Sequence, residues 1–503
     1  MTDPAARSVG HDGGAGARSI PELLAAGEAA LAAGRYREAA ECLEPVADAM
    51  PDHVPLVRMA ATAWQLAGQR SRARAVLTRV TDRAIDVLSA NDAHALGAQL
   101  LDVGAPDRGL YCFTQVARSL PNHPAVLGAL AGARRAQGEL DDAWRLVQRA
   151  TTADRQNPVL WLTAAQVRHG QGQLDEALKL LKKAESLRPS HPPTRLQRAL
   201  TRLLAGASTY GWGDFEHRGL PSLPTGRTPW RGEPLDGRSI LVVFEQGIGD
   251  LFHFLRFVPL LTGHGAGRIV VEAPRSAVSL LQASGFDAVP VGEAPSTDFA
   301  VPVLSLPLHL GTDKATYGDL VPYLRTGAAV DVPAPTAVPT PVSSAPATRE
   351  GPTPLRRRLG LVLRGNPNFL ATNLRDIGNE WLGTLQSIPN VDWVWLQLGE
   401  APPEKFHCEK PKLSEIWLET ALLLQSIDGI VSVDTGLAHL AGAMGLPVWV
   451  LLPFSPDWRW GLQGESTPWY PSATLVRQPA PRDWGEAIAR LSHLLDQPGR
   501  ERR

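Results

Sequence analysis

Gly34, Gly68, Gly104, Gly138 and Gly172 stand 34, 36, 34 and 34 residues apart, and five residues after each come Ala39, Ala73, Gly109, Ala143 and Ala177. Such a period constrains a chain more than its composition does, because each unit can bury its apolar face only against a neighbouring copy. Pro124, Pro158 and Pro192 keep the 34-residue period, and each opens a stretch of helical spacing such as PAVLGALAGARRAQG or PVLWLTAAQVRHGQG. Proline fits the first turn of a helix, and glycine ends one by adopting a left-handed conformation without a Cβ penalty. The small residue at the five-residue offset lets paired helices approach. The expectation is an all-α solenoid over 20–207, about five repeats with TRLQRALTRLLAGA as a closing cap. Its weakest stretch is 54–123, where the spacing slips by two residues and Gly109 replaces alanine.

The pattern in GELDDAWRLVQRA and GQLDEALKLLKKA resembles tetratricopeptide repeats. That resemblance implies helix pairs stacked into a superhelix whose concave face takes a peptide or a protein partner. The alternative is an array that only packs against the next domain or dimerises.

The charges nearly cancel: 50 Lys+Arg against 51 Asp+Glu leave a net charge of −1 over 503 residues. A protein built around nucleic acid or an anionic bilayer usually needs a basic face, so both are disfavoured as main partners. No apolar run reaches the roughly 18 residues of a membrane span, and residues 1–19 lack the apolar core of a signal peptide. They read as a disordered tail, and the chain as soluble and cytoplasmic. Cys42, Cys112 and Cys408 are odd in number, far apart and without CxxC spacing, which supports neither a disulfide framework nor a zinc site.

After the solenoid the period changes. Ser239–Phe244 reads as a buried parallel strand and Leu251–Leu261 as a helix, with Glu245-Gln246-Gly247-Ile248-Gly249-Asp250 turning between them. In an open α/β sheet this turn lies at the carboxyl edge of the strand, where ligands bind. Gln246, Gly247 and Gly249 would line the cleft and let a substrate approach the backbone. Asp250 could there accept a proton from an attacking hydroxyl, or it could simply cap the helix. The first α/β unit, 208–330, continues through RIVVEA, PRSAVSLLQASG and FAVPVLSLP. Residues 331–355 have linker composition, with seven prolines between 331 and 354, so the two α/β units read as separate bodies. The second, 356–497, alternates strands RLGLVLRG, VDWVWLQL, GIVSV and LPVWVLL with helices EWLGTLQSI, SEIWLETALLLQSI and TGLAHLAGAMG, as a mostly parallel sheet requires.

The run from Ile430 to His439 places a buried strand directly before Asp434-Thr435-Gly436-Leu437 and a helix. The free N–H groups and positive end of that helix favour a phosphate, and Gly436 permits close backbone approach. His439, one turn after Thr435, is either a further ligand of the anion or a satisfied core histidine. Asp457-Trp458-Arg459-Trp460 and Pro468-Trp469-Tyr470-Pro471 either line a pocket or pack the last crossover against the sheet.

EQGIGD with its apolar helix, GNPNFLATNLRDI, WLQLG, VSVDTGLAHLAGAMGLPVWVLLPFSPDWRW and STPWYPSATLVRQPAPRDW together resemble the heptosyltransferase-type domain of glycosyltransferase family nine. The similarity covers about 210–495, in the branch where this domain follows tetratricopeptide repeats. It implies a GT-B pair of Rossmann-like units that binds a nucleotide-sugar on the second unit and an acceptor on the first, with no cofactor and no metal. Asp250 matches the family's catalytic base. Asp434, Thr435, Gly436, Leu437 and His439 fall in the motif holding the donor diphosphate, and Arg375 matches a basic residue near the leaving phosphates. The chain departs from the family at Leu251 and His253, after the Gly-Asp, and at Asp376, beside Arg375.

Two functions remain. One is inverting glycosyl transfer from a nucleotide-sugar to an acceptor hydroxyl of a glycan or of a protein recruited by the repeats. The other is a scaffold whose α/β half is catalytically silent, which Leu251, His253 and Asp376 favour. A dehydrogenase is disfavoured because no GxGxxG opens either sheet.

Overall fold

The structure, a computed structural model, describes residues 18–83, 88–312, 314–327, 356–367 and 372–496. The expected tail, except for residues 18 and 19, and the expected linker 331–355 lie outside the described residues.

Twelve helices come first, in antiparallel pairs: α1 (Ile20–Ala32) with α2 (Tyr36–Ala49), α3 (Val54–Leu66) with α4 (Arg70–Arg83), α5 (Ala90–Asp102) with α6 (Pro106–Ser119), α7 (Pro124–Ala136) with α8 (Leu140–Ala153), α9 (Pro158–Gly170) with α10 (Leu174–Leu187), and α11 (Pro192–Leu204) with α12 (Ser208–Phe215). Each periodic glycine ends the first helix of its pair with positive φ, from 73° at Gly34 to 80° at Gly138. The two-residue slip lies between α4 and α5, whose connection is six residues rather than four. Gly109 keeps the role of the alanines. A Cβ there would sit 3.0 Å from the Gly97 carbonyl oxygen, so α5 and α6 touch at this position.

The closing cap is a full sixth pair. Gly206 lies 34 residues after Gly172, has φ 82°, and is followed five residues on by Gly211, where a Cβ would meet Leu203 at 2.7 Å. The compact units divide before this pair, at Ser190/His191, so α11 and α12 belong to the second unit with both sheets.

In that unit β1 (Thr228–Pro229), β2 (Ser239–Val243), α13 (Ile248–Phe254), β3 (Arg268–Ala273), α14 (Arg275–Ala283), β4 (Asp287–Pro290), β5 (Phe299–Pro302) and α15 (Leu306–Leu310) form the first half. The second half comprises β6 (Arg357–Val362), α16 (Thr372–Arg375), of which only Arg375 belongs to this unit, α17 (Leu382–Gln386), β7 (Val391–Trp395), α18 (Trp417–Gln425), β8 (Gly429–Val433), α19 (Gly436–Ala443), β9 (Val448–Leu452), β10 (Ala473–Arg477) and α20 (Trp484–Asp496). Both sheets are wholly parallel, in the orders β1-β5-β2-β3-β4 and β10-β9-β8-β6-β7. The α-helix expected to reach Leu261 stops at Phe254 and continues as a 3-10 helix to His264. Pro259 lies within that stretch and has no N–H to continue an α ladder.

The linker composition suggested separate α/β bodies, but the halves are bound together. Arg256, 1% exposed, donates to the carbonyls of His253, Tyr317 and Trp469 and to the Tyr323 hydroxyl. Tyr323 N–H in turn donates to the Ala443 carbonyl at the end of α19. An all-α repeat array thus precedes a GT-B-like pair of parallel α/β sheets.

Candidate functional site

The candidate residues gather where the strand order reverses in each sheet. β2 lies between β5 and β3, and β6 between β7 and β8, so the turns after β2, β6 and β8 open at carboxyl edges beside switch points.

In the turn after β2, Glu245 points inward. Both its oxygens accept from the Arg218 guanidinium at 2.7 and 2.9 Å, and one also takes the Leu304 N–H. Gln246 bends the chain with φ 58°, unusual for a residue with a side chain. Gly247, rather than Asp250, is the helix N-cap. Asp250 stands three residues in and reaches back, Oδ2 accepting the Gly247 N–H at 3.0 Å. Its Oδ1 pairs with Arg459, which comes from the loop after β9 and is also bound by Asp457 at 2.8 Å. Burial works against the guanidinium charge, but Asp457 and Asp250, with help from Asp434, outweigh it and hold Arg459 above its ordinary range. Burial pushes the Asp457 carboxyl up.

β8 runs into Asp434, and α19 begins at Gly436 with Thr435 as N-cap. The Thr435 hydroxyl lies 2.9 Å from that of Ser432, and Leu437 follows half-buried on the first turn. The glycines were expected to leave room for substrate. Instead Gly249 and Gly436 let α13 and α19 start against each other: a Cβ on Gly249 would lie 3.3 Å from Gly436 Cα and 3.1 Å from His439 Cδ2.

His439 is 5% exposed and partnered in the interior, as the core-histidine reading has it. Its ring stacks on Trp460 at 5.3 Å, Nδ1 lies 2.9 Å from the Tyr470 hydroxyl, and Nε2 faces Asp434 Oδ1 at 3.5 Å. Burial disfavours the Asp434 carboxylate, but the His439 hydrogen bond and the positive charge of Arg375 and Arg459 prevail and hold it below the usual range.

Arg375 donates through Nη1 to the Asp434 carbonyl at 2.8 Å. It lies across Gly365, where an added Cβ would fall 1.6 Å from Nη2. Asp376 Oδ1 accepts the Gly365 N–H at 2.9 Å and lies 3.8 Å from Arg375 Nε, and burial pushes its carboxyl up. The other departures are interior: Leu251 and His253 are both 0% exposed. The tryptophans of the DWRW and PWYP segments are packed, with Trp458, Trp460, Trp469 and Tyr470 all buried.

Arg459 and Tyr470 are the site groups that sequence reasoning missed. Both sit in segments read for their aromatic rings, and their partners lie far away in the chain. Arg459 meets Asp250 across 209 positions and Tyr470 meets His253 across 217.

No helix among the described residues is long and apolar enough to cross a membrane. Cys42 and Cys112 are buried in the repeats, and burial pushes the Cys112 thiol up to about 12.

Comparison with known proteins finds similarity in both the helical and the α/β part of the chain. Protein FlbA of Caulobacter vibrioides is 26% identical over 328 residues, 59% of this chain and 54% of that relative, so the chain spans about half the length of the relative it matches. Among solved structures, a tetratricopeptide repeat protein from Parabacteroides merdae is 16% identical, with 41% of this chain and 81% of that one covered and a TM-score of 0.31. For a tetratricopeptide repeat protein of Thermus thermophilus the values are 19%, 37%, 100% and 0.28, and for a MamA structure 26%, 33%, 95% and 0.27. Residues 30–100 match the tetratricopeptide repeat family and residues 414–483, which hold Asp434, His439, Arg459 and Tyr470, match glycosyltransferase family 9. The chain is therefore similar to tetratricopeptide repeats within its helical array and to glycosyltransferase family 9 (heptosyltransferase) within its second sheet.

Proposed function

We propose that this protein transfers a sugar from a nucleotide-sugar to an acceptor hydroxyl, with inversion and without a metal. The observation that carries the reading is the pairing of two carboxyl-edge turns: Asp250 on α13 packs, through Gly249, against the start of α19 in the segment matched by glycosyltransferase family 9.

Each Asp250 oxygen has two lone pairs, and Gly247 and Arg459 take one apiece. A lone pair is left to accept the acceptor proton. The acceptor oxygen forms its bond to the anomeric carbon as the bond from that carbon to the phosphate oxygen breaks, through an oxocarbenium-like state. The nucleoside diphosphate leaves with the electron pair and the proton passes through Asp250 to water. Arg375 as a cation and the α19 start, at Thr435, Gly436 and Leu437, as fixed dipoles would counter the diphosphate charge, with Asp434 and His439 fixing the turn beside it. These groups supply the compensation a metal would otherwise give, so turnover is expected to persist in chelator.

The test is Asp250→Asn. A positioned base contributes about 10²–10⁴ in rate, so turnover should fall by that factor while nucleotide affinity changes little. Retained turnover would remove Asp250 from the mechanism. The acceptor we favour is a protein hydroxyl presented by the repeats, read by mass added to proteins on incubation with nucleotide-sugars.

A scaffold with a silent α/β half is the second reading, favoured by the ion pair that already engages Asp250. It predicts that calorimetry with a panel of nucleotide-sugars gives no heat of binding or turnover.

A further inference from the structure

We propose that Tyr470 is a positioning residue of the donor-diphosphate site, its hydroxyl fixing the tautomer of His439 and, through it, the Asp434 carboxylate. The inference rests on the reading of Asp434 and His439 as part of that site.

Tyr470 is 0% exposed, and its hydroxyl lies 2.9 Å from Nδ1 of both His439 and His253. Its ring is seated on α19 where Gly442 has no side chain, a Cβ there falling 2.5 Å from Tyr470 Cγ. The histidines are equally confined. Trp460 stacks on His439, and Trp469 lies 4.2 Å from the His253 ring centre.

The Tyr470 hydroxyl, which also meets the Arg256 guanidinium and the Tyr323 hydroxyl, has one hydrogen, so it can donate to only one of the two facing nitrogens and accepts from the other. The choice is made at the far end of the chain of groups. His439 Nε2 faces a carboxylate oxygen, and so carries the ring hydrogen. Its Nδ1 is then the acceptor and takes the Tyr470 O–H, because the hydrogen bond at one imidazole nitrogen determines the state of the other. Tyr470 oxygen accepts Nδ1–H of His253, whose Nε2 is left as a bare lone pair. That atom is buried without a hydrogen-bond partner among the described residues, a place where an N–H would be harder to leave unpaired. Burial first, then the Arg256 charge, keep His253 neutral by lowering its pKa well below the ordinary value. The order is His253 to Tyr470 to His439 to Asp434, each group donating to the next.

The experiment compares the full chain with Tyr470→Phe, which keeps the ring on Gly442 and removes only the hydroxyl. Histidine ring-nitrogen chemical shifts, assigned by difference against His439→Gln, report the tautomer. Calorimetric titration with UDP, GDP, ADP and CDP reports the site. In the parent chain His439 is protonated at Nε2 alone. In Tyr470→Phe both tautomers are populated, and a diphosphate that binds the parent binds about tenfold more weakly, as expected for one lost buried hydrogen bond. An unchanged tautomer overturns the proposal, and so does a changed tautomer with unchanged affinity. A parent chain that shows the tautomer change on substitution but binds none of the four overturns the donor-site reading alone. A second variant, His253→Leu, leaves the bond from Tyr470 to His439 in place and should keep the Nε2 tautomer. Its loss there would overturn the assigned direction even if Tyr470→Phe failed to fold.

Discussion

Gly365 and Arg459 show how single side chains are chosen here by groups distant in sequence. The missing Cβ at Gly365 is the space through which Arg375 passes to the Asp434 carbonyl. Gly365→Ala therefore displaces the end of a flexible side chain rather than backbone. Thermal stability should change little, while nucleotide affinity drops about tenfold, the equivalent of one charged hydrogen bond; equal affinity would show that Arg375 does not touch the donor. Arg459 has the opposite balance. Its guanidinium stands between Asp457 and Asp250, with side-chain exposures of 9%, 34% and 19%. Removing one partner of a largely buried ion pair strands the other charge, so Arg459→Met should cost about 3 kcal/mol in denaturant unfolding and Arg459→Lys less. Asp434, Gly436 and His439 could be located from sequence because strand, turn and helix are contiguous there. Arg459 could not, since its meaning depends on a carboxylate on the other sheet.

At the scale of elements, local punctuation was readable and closure was not. β8 spans the same residues, Gly429–Val433, that the apolar run GIVSV predicts, and α19 starts one residue after the predicted Thr435. Strands β1 and β4 were not foreseen. They are only two and four residues long, and Asp287 and Pro290 at the ends of β4 give no alternation to read. The sixth helix pair was taken for a single cap because α12 is eight residues and rich in glycine and aromatics, unlike the earlier second helices of fourteen. Its periodic glycine gives a direct comparison. Gly172 (φ 74°) and Gly206 (φ 82°) both hold left-handed conformations, and a Cβ on Gly206 would meet nothing within 4 Å. Alanine at Gly206 should then lose only the conformational penalty, about 1 kcal/mol in denaturant unfolding, and alanine at Gly172 at least as much. A much larger loss at Gly206 would mean that the sixth pair is held by something other than the repeat geometry.

For the whole molecule, the net charge of −1 conceals internal groups that resist titration, and these set how stability depends on pH. Burial lowers His253 in the second unit well below its ordinary value, and His169 in the repeats to about 4, with the Arg135 charge assisting at His169. His94 and His309 shift in the same direction, also chiefly through burial. In the unfolded chain these histidines take up protons near pH 6.5, whereas the folded chain keeps them neutral. The unfolded state therefore binds more protons as pH falls through that value. Stability is fully present above about pH 6.5 and is lost below it, by up to roughly 1.4 kcal/mol per pH unit for each such histidine, until the folded form also protonates. For His169 that window closes near its folded value of about 4. Asp214 and Asp434, held low by their arginine and histidine partners, extend the loss to more acid pH, since their stabilisation is present above the normal carboxylate range and disappears as pH falls through their folded values. Asp102, Asp376 and Asp457, raised by burial, act in the opposite sense and soften the acid limb. Melting followed across pH should thus show a plateau above neutrality and a decline beginning near 6.5, well before carboxylates titrate. Because the two units carry separate histidines, His169→Phe should reduce the decline for the repeat transition to the part His94 contributes and leave that of the α/β unit, governed by His253 and His309, unchanged. A decline that begins only below pH 5 in the parent chain would mean that these histidines are accessible to protons in the folded state.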